Sequence, residues 1–261
     1  MNDVIVDGVR LAYRMEGAGD APPLVFVNSV GTDYRMWAAQ VATLSRHLRL
    51  VRYDIRGHGL SDVSTEGVTI ERLGRDLLAL LDHLGIARAH ICGLSLGGMI
   101  ALGLAIHHPE RVSRAVFANP AARIGSVESW SARIELVRGG GMVAVRELVL
   151  SRFFSTTFRA RHPEVSDAFG AMLEATDPRG YIAACAALRD ADLRALVSTI
   201  RVRSLIVAGA LDASTPPAQS EELYAAVPGS ELVVLPEASH LSNVEQPDVF
   251  NAHLLRFLSS Q

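Results

Sequence analysis

His90-Ile91-Cys92-Gly93-Leu94-Ser95-Leu96-Gly97-Gly98-Met99-Ile100 passes from a short apolar strand through Gly-x-Ser-x-Gly into an apolar helix. That pattern is a nucleophile elbow, a sharp turn on which one serine is held in a strained backbone conformation with its hydroxyl presented above a sheet. Gly93 and Gly97 suit the close approach of neighbouring backbone, and the helix that follows directs unpaired N–H groups at any negative charge forming nearby. A five-residue glycine-serine pattern can also be an ordinary strand-to-helix corner. The context favours the elbow, because the strand precedes it and the helix, marked by Met99, Ile100, Leu102, Leu104 and Ile106, follows until His108-Pro109 ends it.

Upstream of the elbow, Val4–Val6 and Arg10–Arg14 flank Asp7-Gly8 and predict a β-hairpin. Leu24–Val27 is a continuous apolar run, expected of a strand buried on both faces. A helix near Trp37–Arg46, a strand at Leu50–Tyr53 and an amphipathic helix from Ile70 to Leu84 come next. Between the last two lies the loop Asp54–Ser61, where Asp54 and Arg56 are expected to bond the loop backbone and each other. Downstream come a strand at Ala115–Ala118, then helical stretches near Val127–Arg138, Met142–Phe154, Pro163–Ala175 and Pro178–Asp190 with no convincing strand among them. Alternation resumes with a strand at Arg203–Ala208, a helix at Pro217–Val227, a strand at Glu231–Leu235 and a helix from about Gln246 to Leu258. The fold class is therefore α/β, with a mostly parallel sheet covered by helices on both faces. Residues 1–120 and 193–261 are expected to form the core domain, and 121–192 a helical lid inserted over the carboxyl edge of the sheet.

A chain of 261 residues can bury a large core without staples, and its two cysteines, Cys92 and Cys185, argue against a disulfide framework. A net charge of −3 argues against nucleic acid as a partner. The N-terminus lacks a signal-peptide pattern and no apolar run is long enough to span a membrane, so the expected place is the cytoplasm. The nine histidines are scattered, and no Cys or carboxylate cluster has metal-ligand spacing. Gly17-Ala18-Gly19 precedes the first central strand, the wrong side for a dinucleotide loop, and no cofactor is implied.

A serine hydroxyl needs a base within hydrogen-bond reach and a third group to orient that base. His240, in the loop after the strand that ends at Leu235, and His58 compete for the base. Asp212, reached from the strand at Arg203–Ala208 through Gly209-Ala210-Leu211, is the acid. The alternative place, after Ala118, holds Asn119 and Pro120, which carry no charge. The chain order Ser95, Asp212, His240 is that of α/β-hydrolases. In such enzymes the small-residue loop after the first central strand supplies one oxyanion donor, which points to the backbone N–H of Val30 beside that of Leu96.

Beyond the elbow, Asn28–Asp33, Tyr53–Gly59, Leu73–Asp76, Trp130–Ile134, Met172–Pro178, Ala187–Asp190 and Ser239–Pro247 resemble the 3-oxoadipate enol-lactonase family over nearly the whole chain, lid included. The resemblance implies a cofactor-free opening of a small anionic lactone, with Ser95 as nucleophile, Asp212 as acid, His240 as base and Trp130 lining the pocket from the lid. Leu96 replaces an expected methionine, and Gly209-Ala210-Leu211 replaces a more polar approach to the acid. Such a substrate carries a free carboxylate. Between Ala121 and Arg161 there are seven arginines against three glutamates, and Arg133, one turn beyond Trp130, is the candidate partner, although a solvated arginine coat is the plain alternative. A general carboxylesterase, a cofactor-free perhydrolase and a slow-turnover ligand receptor use the same framework.

Overall fold

The computed structural model describes residues 2–259. The strands are β1 (Asn2–Val6), β2 (Val9–Glu16), β3 (Pro23–Val27), β4 (Arg49–Tyr53), β5 (Ala89–Leu94), β6 (Val112–Ala118), β7 (Ser204–Gly209) and β8 (Glu231–Leu235). They form one sheet in the order β1-β2-β4-β3-β5-β6-β7-β8. The β1–β2 and β2–β4 pairs are antiparallel, and every pairing from β4 to β8 is parallel. Asp7 and Gly8 both take positive φ, 47° and 77°, as the tight hairpin between β1 and β2 demands. In β3, β5 and β7 the residues are almost wholly buried, which is why their sequences are continuous apolar runs.

The helices are α1 (Ala38–Leu44), α2 (Ile70–His83), α3 (Leu96–His107), α4 (Val127–Gly140), α5 (Arg146–Phe153), α6 (Thr156–Arg161), α7 (Pro163–Glu174), α8 (Pro178–Asp190), α9 (Pro217–Ala226), α10 (Ser242–Glu245) and α11 (Pro247–Ser259). Thr69 caps α2 by accepting from the amide of Arg72, and Leu73, Leu77, Leu80 and Leu81 bury its inner face. Central helix α3 is apolar nearly all round because it is enclosed nearly all round. The expected helix near Trp37 is a 3-10 turn at Tyr34–Trp37 leading into the shorter α1, and α6 was not expected. Its six residues are too few to show an apolar period, and Ser155 starts it by accepting from the amide of Phe158.

Helices α4 to α8 all lie between β6 and β7 in the chain. Two glycines with left-handed backbone let them sit close on the sheet's loops. Gly31 (φ 75°) abuts Leu173 and Tyr181, and Gly57 (φ 77°) abuts Gly180 backbone to backbone, where a side chain on either would collide. The loop after β4 differs from expectation in one respect. Arg56 pairs bidentately with Asp76 on α2, at 2.5 and 2.6 Å, and not with Asp54. Asp54 is already engaged, its two oxygens accepting from the amides of Tyr34 (2.7 Å) and Leu60 (2.9 Å). Among the described residues no helix is long and apolar enough to cross a membrane, and Cys92 and Cys185 are buried and unbridged.

Candidate active site

Ser95 follows β5 directly and has φ 56° and ψ −113°, a conformation that L side chains adopt only where the surroundings impose it. Its amide donates to the carbonyl of Ala118 on the next strand at 3.1 Å, and its carbonyl receives Met99 N–H at 3.0 Å, so the turn is fixed on both sides. A side chain on Gly93 would strike the carbonyl of Gly97, and one on Gly97 would strike that of Val27. Leu96 is the first residue of α3, so its N–H has no acceptor within the helix.

Asp212 and His240 come from the loops after β7 and β8, both at the carboxyl edge on which Ser95 stands. His240 Nδ1 lies 2.8 Å from Asp212 Oδ2. The aspartate is buried and saturated with donors. Oδ1 accepts from the amides of Ser214 (2.7 Å) and Thr215 (3.1 Å), and Oδ2 lies 2.8 Å from both Asn119 Nδ2 and Thr215 Oγ1. Burial by itself would raise the Asp212 pKa, yet attraction to His240 and the hydrogen bonds from His240, Asn119 and Thr215 hold it below the ordinary carboxylate value. The acid is therefore kept ionised, which fixes a proton on Nδ1 and leaves Nε2 free to accept one.

Asn119 stands where the sequence reading dismissed an uncharged residue. It holds φ 46°, donates to Asp212, and accepts Ser242 Oγ on Oδ1 at 2.6 Å. The missed signal was chemical: a position that cannot supply the acid can still supply a donor to it. The polarity lost from Gly209-Ala210-Leu211 is replaced by backbone, since Leu211 N–H donates to Ala238 O at 2.9 Å and ties the acid's turn to the histidine's loop.

The histidine loop is anchored in turn. Glu245 accepts the amide of Ser239 in a short hydrogen bond and that of Ser155 at 2.7 Å, and Leu241 N–H donates to Phe153 O at 2.9 Å. Burial raises the Glu245 pKa although these amides pull it down. His58 is fully buried outside the cleft, where burial pushes its pKa down to about 4. Of the two candidate histidines, His240 lines a cleft with Ser95 and His58 does not.

The cavity in that cleft measures about 70 Å³. Ser29, Val30, Ser95 and His240 form its floor, so the loop after β3 and the elbow meet there. Trp130, Arg133, Val149, Arg152 and Phe153 form its roof. The Trp130 indole donates to Ile124 O at 2.6 Å, and the Arg133 guanidinium stacks over the indole ring at 4.7 Å, so the two share a face as their spacing predicted. Most arginines of this region are neutralised: Arg123 by Asp192, Arg138 by Glu135, Arg146 by Asp167 and Glu174, and Arg159 by Glu147. Among the described residues Arg133 and Arg152 have no such carboxylate. Arg152 was not singled out in the sequence, where nothing in its spacing separates it from its ion-paired neighbours.

A strained serine, an Asp-His pair on adjacent loops and a parallel sheet beneath them define a class. The chain belongs to the α/β-hydrolase fold family, whose model matches residues 22–247. Within it, the chain is 41% identical over 243 residues to 3-oxoadipate enol-lactonase 2 of Acinetobacter baylyi, covering 93% of this chain and 91% of that one. It superposes with a TM-score of 0.97 on the enol-lactonase of Burkholderia xenovorans LB400, at 43% identity and with 99% and 100% of the two chains covered. A thermophilic esterase from Thermogutta terrifontis, solved with malate bound, matches with a TM-score of 0.92 at 29% identity, covering 99% and 98% of the two chains. The likeness to enol-lactonases thus extends over nearly the whole molecule, and the protein is a hydrolase.

Proposed function

We propose that this hydrolase opens 3-oxoadipate enol-lactone to 3-oxoadipate in the β-ketoadipate pathway of aromatic catabolism, working in the cytoplasm without a cofactor. One observation carries the choice of substrate: in the roof of the cleft, Arg133 is stacked on Trp130 with no carboxylate among the described residues to neutralise it. An arginine left in that state suits a substrate that brings its own carboxylate. The enol-lactonase relatives support the same reading.

In this mechanism Ser95 is the nucleophile, His240 the base and Asp212 the acid that orients it. The amides of Val30 and Leu96 receive the oxyanion, and residues 121–192 act as the lid that supplies Trp130 and Arg133. As Ser95 Oγ bonds the ring carbonyl carbon, its proton passes to His240 Nε2. Collapse breaks the ring C–O bond and expels an enolate, a better leaving group than an alkoxide, so less is asked of His240 as an acid. Protonation and ketonisation then remove the group that could close the ring again. Water, giving a proton to His240, attacks the acyl-serine and frees the product.

The test is loss of ultraviolet absorbance when the purified protein meets freshly generated enol-lactone, with Ser95→Ala alongside. Rapid loss abolished by the substitution is the expected result. An intact lactone, with neutral aryl esters still cleaved, would leave the triad standing and replace the proposed substrate with a general ester.

A further inference from the structure

The lid segment at the end of α5 is fastened to the loop that carries His240. Ser239 Oγ lies 3.3 Å from Arg152 O, Leu241 N–H donates to Phe153 O at 2.9 Å, and Glu245 holds the amides of Ser155 and Ser239 together. The Phe153 ring stacks on the His240 imidazole, with centroids 6.3 Å apart and planes 16° from parallel. Arg152 is thereby fixed on the histidine's side of the cleft, half-buried and with no carboxylate paired to it among the described residues. Burial and the nearby charge of Arg133 both disfavour its cation, while Asp212 pulls the other way.

In a Ser-His-Asp hydrolase the imidazole returns its proton to the leaving atom, so the histidine's side is the leaving group's side, and the carbonyl oxygen faces the oxyanion donors. Ring opening creates an anion there in addition to the substrate's standing carboxylate. Arg133, stacked against Trp130, answers the carboxylate, and one cation remains.

We propose that Arg152 is a further catalytic residue whose guanidinium pairs with the oxygen that leaves as the ring opens. The inference rests on the hydrolase reading above and deepens it. When the tetrahedral intermediate collapses, the C=O bond re-forms, the ring C–O bond breaks and its electron pair stays on the departing oxygen, held by Arg152. His240 returns the proton taken from Ser95 to that oxygen, and the resulting enol becomes the ketone. The site is thus built for esters whose leaving oxygen departs as an anion.

Neutral aryl acetates carry no carboxylate, so they read the leaving-group effect separately from substrate identity. The experiment measures kcat/KM for a series of aryl acetates of graded phenol acidity, and kcat and KM for the enol-lactone, with the wild-type protein, Arg152→Ala and Arg152→Lys. Arg138→Ala, an exposed and ion-paired lid arginine, is the control. Arg152→Ala is expected to lose at least about tenfold on phenyl acetate and less than about threefold on p-nitrophenyl acetate, because a weakly basic oxygen gains least from a donor. The lysine variant should recover most of the difference, and on the enol-lactone the loss should fall on kcat. Equal losses across the series, unchanged kcat on the enol-lactone, or a loss confined to its KM would overturn the proposal. A steeper dependence on phenol acidity in a protein that leaves the enol-lactone intact would uphold it while rejecting the proposed substrate.

Discussion

The floor and the roof of the cleft follow opposite electrostatic rules. In the floor every polar group of the acid is answered: Asp212 is met by His240, Asn119, Thr215 and two backbone amides, and its charge is stabilised in place. In the roof, Arg133 and Arg152 have no paired carboxylate among the described residues, while most neighbouring arginines are paired. A saturated network holds a geometry for chemistry, whereas an unsatisfied charge waits for a ligand. The comparison assigns activation of the nucleophile to the floor, and pairing with the substrate's negative charges, standing or developing, to the roof.

The largest effects should come from breaking the floor. Ser95→Ala should lower kcat by about 10⁴-fold or more on every ester tested, and Asp212→Asn by about 10³- to 10⁴-fold, since an amide would hold the wrong imidazole tautomer. Initial rates on an acidic lactone and a neutral aryl ester check both, and losses that differ between the two substrates would blur the division. Asn119→Gly keeps the left-handed backbone but removes a donor to Asp212. It should cost about tenfold in kcat with KM nearly unchanged, and an effect on KM alone would assign Asn119 to substrate binding instead.

Packing of helices α4 to α8 on the sheet's loops gives a smaller effect of another kind. In Gly57→Ala a methyl group would meet the backbone of Gly180 and sit on a left-handed residue, so stability should fall by about 1–3 kcal/mol, read as a lower Tm. The triad should still react with an active-site titrant in the variant at low temperature.

The smallest net effect is a pH dependence, because two buried groups oppose each other. Burial holds His58 at about 4 against an ordinary 6.5, so the folded chain refuses a proton that the unfolded chain accepts. Its contribution is complete above pH 6.5 and is lost as pH falls toward 4, by about 3 kcal/mol at most. Asp54, raised to about 6 by burial, works in the opposite sense, favouring the fold at low pH and losing that advantage as pH rises through 6. His58→Gln leaves Asp54 unopposed, so its Tm should hold or rise between pH 6.5 and 4.5 where the wild-type value is flat or falls.

Much of the floor was legible before the fold was known, because elbow, acid and histidine each follow a strand and the strands announce themselves as apolar runs. The hairpin at Asp7-Gly8 was equally local. What escaped the sequence was long-range. Arg56 had two carboxylates to choose from, and only the fold shows that backbone amides had already taken Asp54. Arg152 looks like any other lid arginine until the loop of His240 is found beside it. Asn119 carries no charge, and its contribution lies in a strained backbone that aims its amide at Asp212.

The most direct measurement compares kcat/KM for the enol-lactone with that for its neutral carboxamide analogue, in the wild-type protein and in Arg133→Ala. The account predicts a wild-type preference for the acid of about 10²-fold or more, collapsing to within a few-fold in the variant while the amide's rate stays nearly constant. Equal losses on the two substrates, or a wild-type protein indifferent to the carboxylate, would contradict it.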